Sequence, residues 1–169
     1  MIHAQQHLIL DQAQIEQKIK RMAYEMYEHN FEEQELVLAG IHEKGTRLAT
    51  MLAEQLRSIS PITVHLLTIR LNKVSPLDSP VVLEPATITI AGKVVIIVDD
   101  VLNTGKTLAY TLNSFLPQNP KKVEIATLVN RHHTLFPVAS TYTGFSLATT
   151  LREHVEVVLQ EQEVAAYLH

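Results

Sequence analysis

Cysteine is absent from the chain, which excludes disulfides, thiolate catalysis and cysteine-ligated zinc or iron–sulfur clusters. The absence fits a reducing cytoplasm, the location we expect. No apolar run approaches the ~20 residues that a membrane span needs, so no membrane partner is expected. The opening residues Met1-Ile-His-Ala-Gln-Gln6 lack the basic-then-apolar order of a secretory leader. Internal repeats and low-complexity tracts are missing too. So is a strong charge excess: a net charge of −4 gives no global attraction to nucleic acid and leaves only local basic patches to consider.

What is present is the balance of a globular protein, 46% hydrophobic and 19% charged, too apolar for disorder. The 169 residues are read as one domain, 1–169. A chain of this length buries roughly 70% of its unfolded surface and needs no staple of disulfide or metal.

Apolar positions Ile15, Ile19, Met22, Ala23 and Met26 recur at helical spacing, with Asp11 and Gln14 as an N-terminal cap. Leu36–Ile41 is a continuous apolar run, the pattern of a buried strand. A second helical pattern covers Thr46–Arg57, with Leu48, Met51, Leu52 and Leu56 on one face and Pro61 beyond its end. Ile62–Ile69 reads as the next strand. Residues 70–85 hold Pro76, Pro80 and Pro85 without periodicity and are read as a loop or flap. Ala86–Ile90 is a short alternating piece. Then come the strongest strand signal, Val94–Val98, a helix over Gly105–Phe115 and strands over Val123–Val129 and Val155–Leu159. Glu161–Leu168 is read as a terminal helix. Strands that alternate with helices and are apolar throughout predict an α/β fold: a mainly parallel twisted sheet flanked by helices. Ligands then belong at the carboxyl ends of the strands, in the loops after Ile41, Ile69, Val98 and Val129.

The loop after Val98 is the most informative. The strand Val94–Val98 runs into Asp99-Asp100, a short apolar step, then Thr104-Gly-Lys-Thr107 and a helix. Gly105 permits close backbone approach, the threonines add hydroxyls, and the helix start turns free N–H groups and a positive dipole end outward. Together they form an anion cradle suited to a phosphomonoester. The two acids can accept hydrogen bonds from a sugar diol or help hold a hydrated cation. A nucleoside-triphosphate P-loop is rejected, because its first glycine would fall at Asp100, a carboxylate where phosphate must pass. The bland alternative is a capped helix after a buried strand, with both acids merely solvated.

Gly40–Ala49 makes a second strand-to-helix turn. Lys44 there can neutralise negative charge developing on a leaving group, and Gly45 permits close contact; a tight turn with a solvated lysine is the alternative.

The stretch Val94–Leu108 resembles the signature of type I phosphoribosyltransferases: a hydrophobic strand, two acids, two apolar or small residues, then Thr-Gly-x-Thr. That resemblance implies the type I fold with a flap over the active site. It implies 5-phosphoribosyl pyrophosphate (PRPP) as donor, Asp99 and Asp100 facing the ribose, and Asn103, Thr104, Gly105, Lys106 and Thr107 wrapping the 5′-phosphate. Glu43, Lys44 and Gly45 would hold the pyrophosphate, Lys44 serving catalysis alongside the two acids. The order of elements from Ile9 to Gln160 resembles the pyrimidine operon attenuators that are also uracil phosphoribosyltransferases. Asn130-Arg131-His132-His133 with Pro137 resembles their Asp-Arg-Gly-His…Pro loop, and Tyr142-Thr-Gly144 with Thr149-Thr150 their Tyr-x-Gly…Thr-Ser segment. By this likeness Arg131, His132 and Phe136 sit near the base.

The chain departs from these relatives at Asn130 and His132, where they carry Asp and Gly, and at Glu43-Lys44, where they carry Thr-Arg. Its flap is shorter and more apolar. Phe136 could stack on a base or plug the core edge. His132 and His133, being adjacent, point apart and make poor joint metal ligands, and no side chain is named as one. The resemblance implies Mg²⁺ as cofactor. It implies PRPP, a nucleobase and a nucleoside monophosphate as small-molecule partners, and a homo-oligomer. The basic clusters Lys18, Lys20, Arg21 and Lys121-Lys122 are read as solvated faces first and an RNA surface second.

Overall fold

The computed structural model describes residues 5–72, 74–75 and 77–169. Lys73 and Pro76 of the predicted flap, and the first four residues, lie outside the described residues. The chain runs β1 (His7–Leu10), α1 (Gln12–His29), β2 (Glu35–Ile41), α2 (His42–Ile59), β3 (Thr63–Arg70), β4 (Val82–Glu84), β5 (Val94–Leu102), α3 (Lys106–Phe115), β6 (Lys122–Asn130), β7 (Tyr142–Ser146), β8 (Val155–Leu159) and β9 (Val164–Leu168).

Helix α1 starts on a capping box. The Asp11 carboxylate accepts the Gln14 N–H at 2.8 Å, and the Gln14 amide oxygen accepts the Asp11 N–H at 2.9 Å. Its predicted stripe, Ile15 to Met26, is buried.

The six-stranded sheet has the order β4-β3-β2-β5-β6-β7. All its neighbours pair in parallel except the short edge strand β4, which is antiparallel to β3. Alternation splits the core in two. Leu36, Leu38, Val94, Ile96 and Val98 pack with α1 and α2, while Val37, Ala39, Val95 and Ile97 pack with Leu108 and Phe115 of α3. Helices therefore cover both faces, as the apolar strands predict, and the parallel pairing puts the loops after β2, β3, β5 and β6 together at the carboxyl end of the sheet.

Several expectations need correction. Glu161–Leu168 is no helix: Val164–Leu168 is β9, the middle strand of an antiparallel sheet ordered β1-β9-β8. Gln160 and Glu163 exchange backbone hydrogen bonds at 2.8 and 3.2 Å around Glu161-Gln162, closing a hairpin. A helix of eight residues has little stability alone, and two ladders satisfy the backbone better. β7 has no counterpart among the predicted strands. It is a polar-looking strand that pairs only with β6, on the sheet edge. Ala86–Ile90 makes no ladder; the neighbouring strand is β4 instead. β5 continues through both aspartates to Leu102, and α2 begins at His42, so the supposed pyrophosphate turn is the first turn of that helix.

Candidate active site

Two glycines set the site's geometry. A Cβ on Gly40 would fall 2.4 Å from the Thr46 Cα, and one on Gly45 would fall 2.6 Å from the Val98 carbonyl oxygen. Only hydrogen at both positions lets the first turn of α2 press against β2 and β5. That approach sets His42–Gly45 beside the end of β5, where Asp99 and Asp100 stand.

Both aspartates are nearly buried, 4% and 9% exposed. The Asp99 carboxylate accepts the Asp100 N–H at 3.0 Å. Two adjacent buried carboxylates are costly unless donors or a cation meet them. They open onto a cleft of about 680 Å³, lined by His42, Glu43, Lys44, Arg70, the whole span Asp99–Leu108, His154 and Val155.

The loop between β5 and α3 is a tight turn. Gly105 precedes α3 in a left-handed conformation, φ +82°, and a Cβ there would meet the Val138 Cγ2 at 2.4 Å. The Thr104 hydroxyl accepts the Lys106 N–H at 3.2 Å. The N–H groups of Thr107 and Leu108, in the first turn, have no helical acceptor and are available to an anion. The loop is braced from behind: the Thr104 carbonyl accepts the N–H groups of Leu135 and Phe136 at 2.8 and 3.2 Å.

The predicted residues sort into two groups. Asp99, Asp100, Asn103 to Thr107, Glu43 and Lys44 line one cleft, with Gly45 in its wall as a packing contact. Arg131, His132 and Phe136 are not among the cleft's lining residues. Arg131 is buried and its guanidinium is bound to Asn103, Thr149, Thr150 and Glu153. His132 is exposed at φ +58°, its N–H donated to the Asn130 side chain. Phe136 is half-buried, its ring tilted against Tyr110 at 6.2 Å.

Seven lining residues are missing from the sequence-based set: His42, Val101, Leu102 and Leu108 neighbour predicted residues in the chain, whereas Arg70, His154 and Val155 come from elements the set does not touch. Arg70 ends β3 and is paired with Glu84 at 3.0 Å. A cation at the carboxyl end of a parallel strand is a usable signal for it. His154 and Val155 are delivered by the second sheet. His154 exchanges backbone hydrogen bonds with His169 at 2.9 and 2.8 Å, a pairing no local pattern announces.

Comparison with known proteins agrees with this geometry. Residues 5–162 match the phosphoribosyl transferase domain family. A bifunctional protein PyrR of Enterococcus faecalis is 31% identical over 163 residues, covering 93% of this chain and 92% of that protein. The PyrR of Staphylococcus saprophyticus is 34% identical over 168 residues, covering 92% and 93%. Among solved structures, the hypoxanthine phosphoribosyltransferase of Trypanosoma cruzi superposes with a TM-score of 0.80 at 16% identity, covering 96% of this chain and 95% of that one. A hypoxanthine-guanine phosphoribosyltransferase of Bacillus anthracis gives 0.72 at 22% identity, covering 85% and 84%. At those identities the structures speak for the shared fold. With the family matched along nearly the whole chain and its cradle and paired acids meeting in one cleft, this protein belongs to the phosphoribosyl transferase domain family and is a PRPP-dependent phosphoribosyltransferase.

Proposed function

We propose that this protein transfers the 5-phosphoribosyl group of PRPP to a ring nitrogen of a pyrimidine, uracil first, with release of pyrophosphate. The observation that carries the reading is the meeting, in one cleft, of two buried aspartates, an α3 phosphate cradle and the first turn of α2. The PyrR relatives at 31–34% identity favour a pyrimidine over the purines named for the more distant structures.

In this mechanism the α3 first turn and the Thr104 and Thr107 hydroxyls hold the 5′-phosphate and fix the ribose by one end. Asp99 and Asp100 accept hydrogen bonds from its hydroxyls and orient the anomeric carbon. As the bond to pyrophosphate breaks, that carbon becomes cationic, and the nearby carboxylates favour the developing charge. Lys44 and the N–H groups of the α2 first turn receive the negative charge that collects on pyrophosphate. No side chain forms a covalent intermediate; positioning and charge neutralisation carry the rate. Asp99 and Asp100 would hold Mg²⁺, a hard cation suited to carboxylate oxygens. When bound, it supplies Lewis-acid neutralisation of pyrophosphate and ribose oxygens.

The test mixes protein, PRPP and Mg²⁺ with each common base and measures nucleotide and pyrophosphate. Formation of uridine monophosphate supports the reading, product from a purine alone moves the base, and binding of PRPP without product removes turnover.

That last outcome is the second reading, a nucleotide-responsive regulator, and the word bifunctional in the relatives' names favours keeping it. Its RNA form has weaker support. Arg21 turns its guanidinium onto Glu25 and the carbonyls of Thr143 and Gly144, and Lys18 lies over the Phe145 ring at 5.3 Å. Those cations of the first basic cluster are engaged within the fold.

A further inference from the structure

All three guanidinium nitrogens of Arg131 donate to protein oxygens. Nε reaches the Thr149 hydroxyl at 2.9 Å and Nη1 the Asn103 Oδ1 at 2.8 Å. Nη2 reaches the carbonyls of Thr150 and Glu153 at 3.3 and 2.6 Å. The side chain is 7% exposed, and these four acceptors are neutral. A buried guanidinium on neutral acceptors is a poor device for stability, since an apolar side chain of similar volume avoids the desolvation cost. It is a good device for geometry, because its planar fork fixes several partners at once.

The partner that matters is Asn103. It is exposed and lines the cleft between the aspartates and the phosphate cradle. Arginine only donates, so the amide atom facing Nη1 has to be the oxygen. The Asn103 Nδ2 group is thereby turned away from Arg131 with its protons free to donate. The other partners, residues 149–153, run directly into His154 and Val155, which form another wall of the same cleft. One guanidinium joins floor to wall. The backbone repeats the link, since the Arg131 N–H donates to the Leu102 carbonyl at 3.2 Å.

We propose that Arg131 is a positioning residue that holds the Asn103 carboxamide so that Nδ2 donates to an acceptor atom of the nucleobase. The atom recognised is a carbonyl oxygen or an unprotonated ring nitrogen, and uracil offers ring carbonyls. Arg131 thus acts on the base through Asn103 rather than by touching it. The inference rests on the phosphoribosyltransferase reading.

The experiment compares wild type with R131Q, N103A, N103D and the R131Q/N103A double variant. It measures steady-state kinetics for each substrate, PRPP binding by calorimetry and thermal melting. R131Q and N103A are each expected to lower kcat/KM for the base about tenfold or more, a larger loss than either causes in PRPP affinity. The double variant should be no worse than N103A, because both changes remove one interaction. N103D keeps an acceptor for Arg131 and so keeps its melting temperature, yet loses the donor and should match N103A in its loss. Parallel decline of melting temperature, PRPP binding and base efficiency in R131Q, or multiplication of the two losses in the double variant, overturns the proposal. Should R131Q fail to fold, N103D decides: unchanged base efficiency overturns it. A wild type that neither binds PRPP nor forms nucleotide brings down the underlying function, an outcome visible before any variant is made.

Discussion

Gly105 carries the turn on which the phosphate cradle depends. Its φ of +82°, and the 2.4 Å that would separate an added Cβ from the Val138 Cγ2, leave alanine strained there. Gly105→Ala should cost ~1–3 kcal/mol of stability, read by urea unfolding, with a parallel loss of PRPP affinity. Asp99→Asn and Asp100→Asn test the other half of the site. Each keeps shape and removes a charge, and the pair should lower turnover by roughly 100-fold or more if they orient the ribose and favour the cationic carbon; near-normal turnover would remove them from the mechanism. These residues are legible in the sequence because their signal is local. Acids, hydroxyls, glycine and helix start fall within nine positions, Asp99 to Thr107. Arg131 is visible as a residue but not in its role. Its partners Asn103 and Thr149 lie 28 and 18 positions away, and only the fold brings them together.

At the scale of elements, the sheet has a second polar centre at its opposite end. There β6, β7 and α1 converge on Tyr142, which donates to Glu124 at 2.9 Å, while Asn30 donates to the other Glu124 oxygen at 3.0 Å. Burial, then the Glu124 hydrogen bond, pushes the Tyr142 hydroxyl above its usual range. A tyrosine raised on folding contributes stability that is complete below its unfolded value, about 10, and is lost as pH climbs beyond it. Melts across pH 7 to 11 should therefore show an alkaline decline that is smaller in Tyr142→Phe. That variant should also lose ~1–3 kcal/mol at neutral pH, because Glu124 loses a donor while buried. Gly40→Ala probes the α2 contact. Its Cβ meets backbone, not a movable side chain, so a loss of ~2–4 kcal/mol is expected with displacement of the Lys44 turn. The parallel strands are legible because burial on both faces makes them apolar throughout. β7 and β1 are not, because they are short edge strands of mixed residues, and β9 is not, because its Ala-Ala centre suits a helix equally and its state is set by β1 and β8.

For the whole molecule, one binding measurement addresses function and fold together. A ligand at 100 times its Kd adds ~2.7 kcal/mol to a native state that alone binds it. For a chain of this size that raises the melting temperature by roughly 5–10 °C. PRPP with Mg²⁺ should do so, and Asp99→Asn/Asp100→Asn should abolish the shift. RNA, if it binds at all, should do so with an affinity that falls steeply as salt rises. Overall class and the position of the cleft follow from the alternation of strand and helix. The cleft wall at His154 and Val155 does not, because it is built by a sheet whose strands β1 and β9 lie far apart in the sequence.

That sheet gives the protein a timetable. β9 lies between β1 and β8, so neither outer strand has its ladder until Val164–Leu168 has been made. During synthesis the phosphate cradle can fold from residues already emerged, while His154 and Val155 wait for their neighbour. A ribosome-bound nascent chain would form the turn at Gly105 before the wall at His154 and Val155, and the cleft would be closed on that side only with β9.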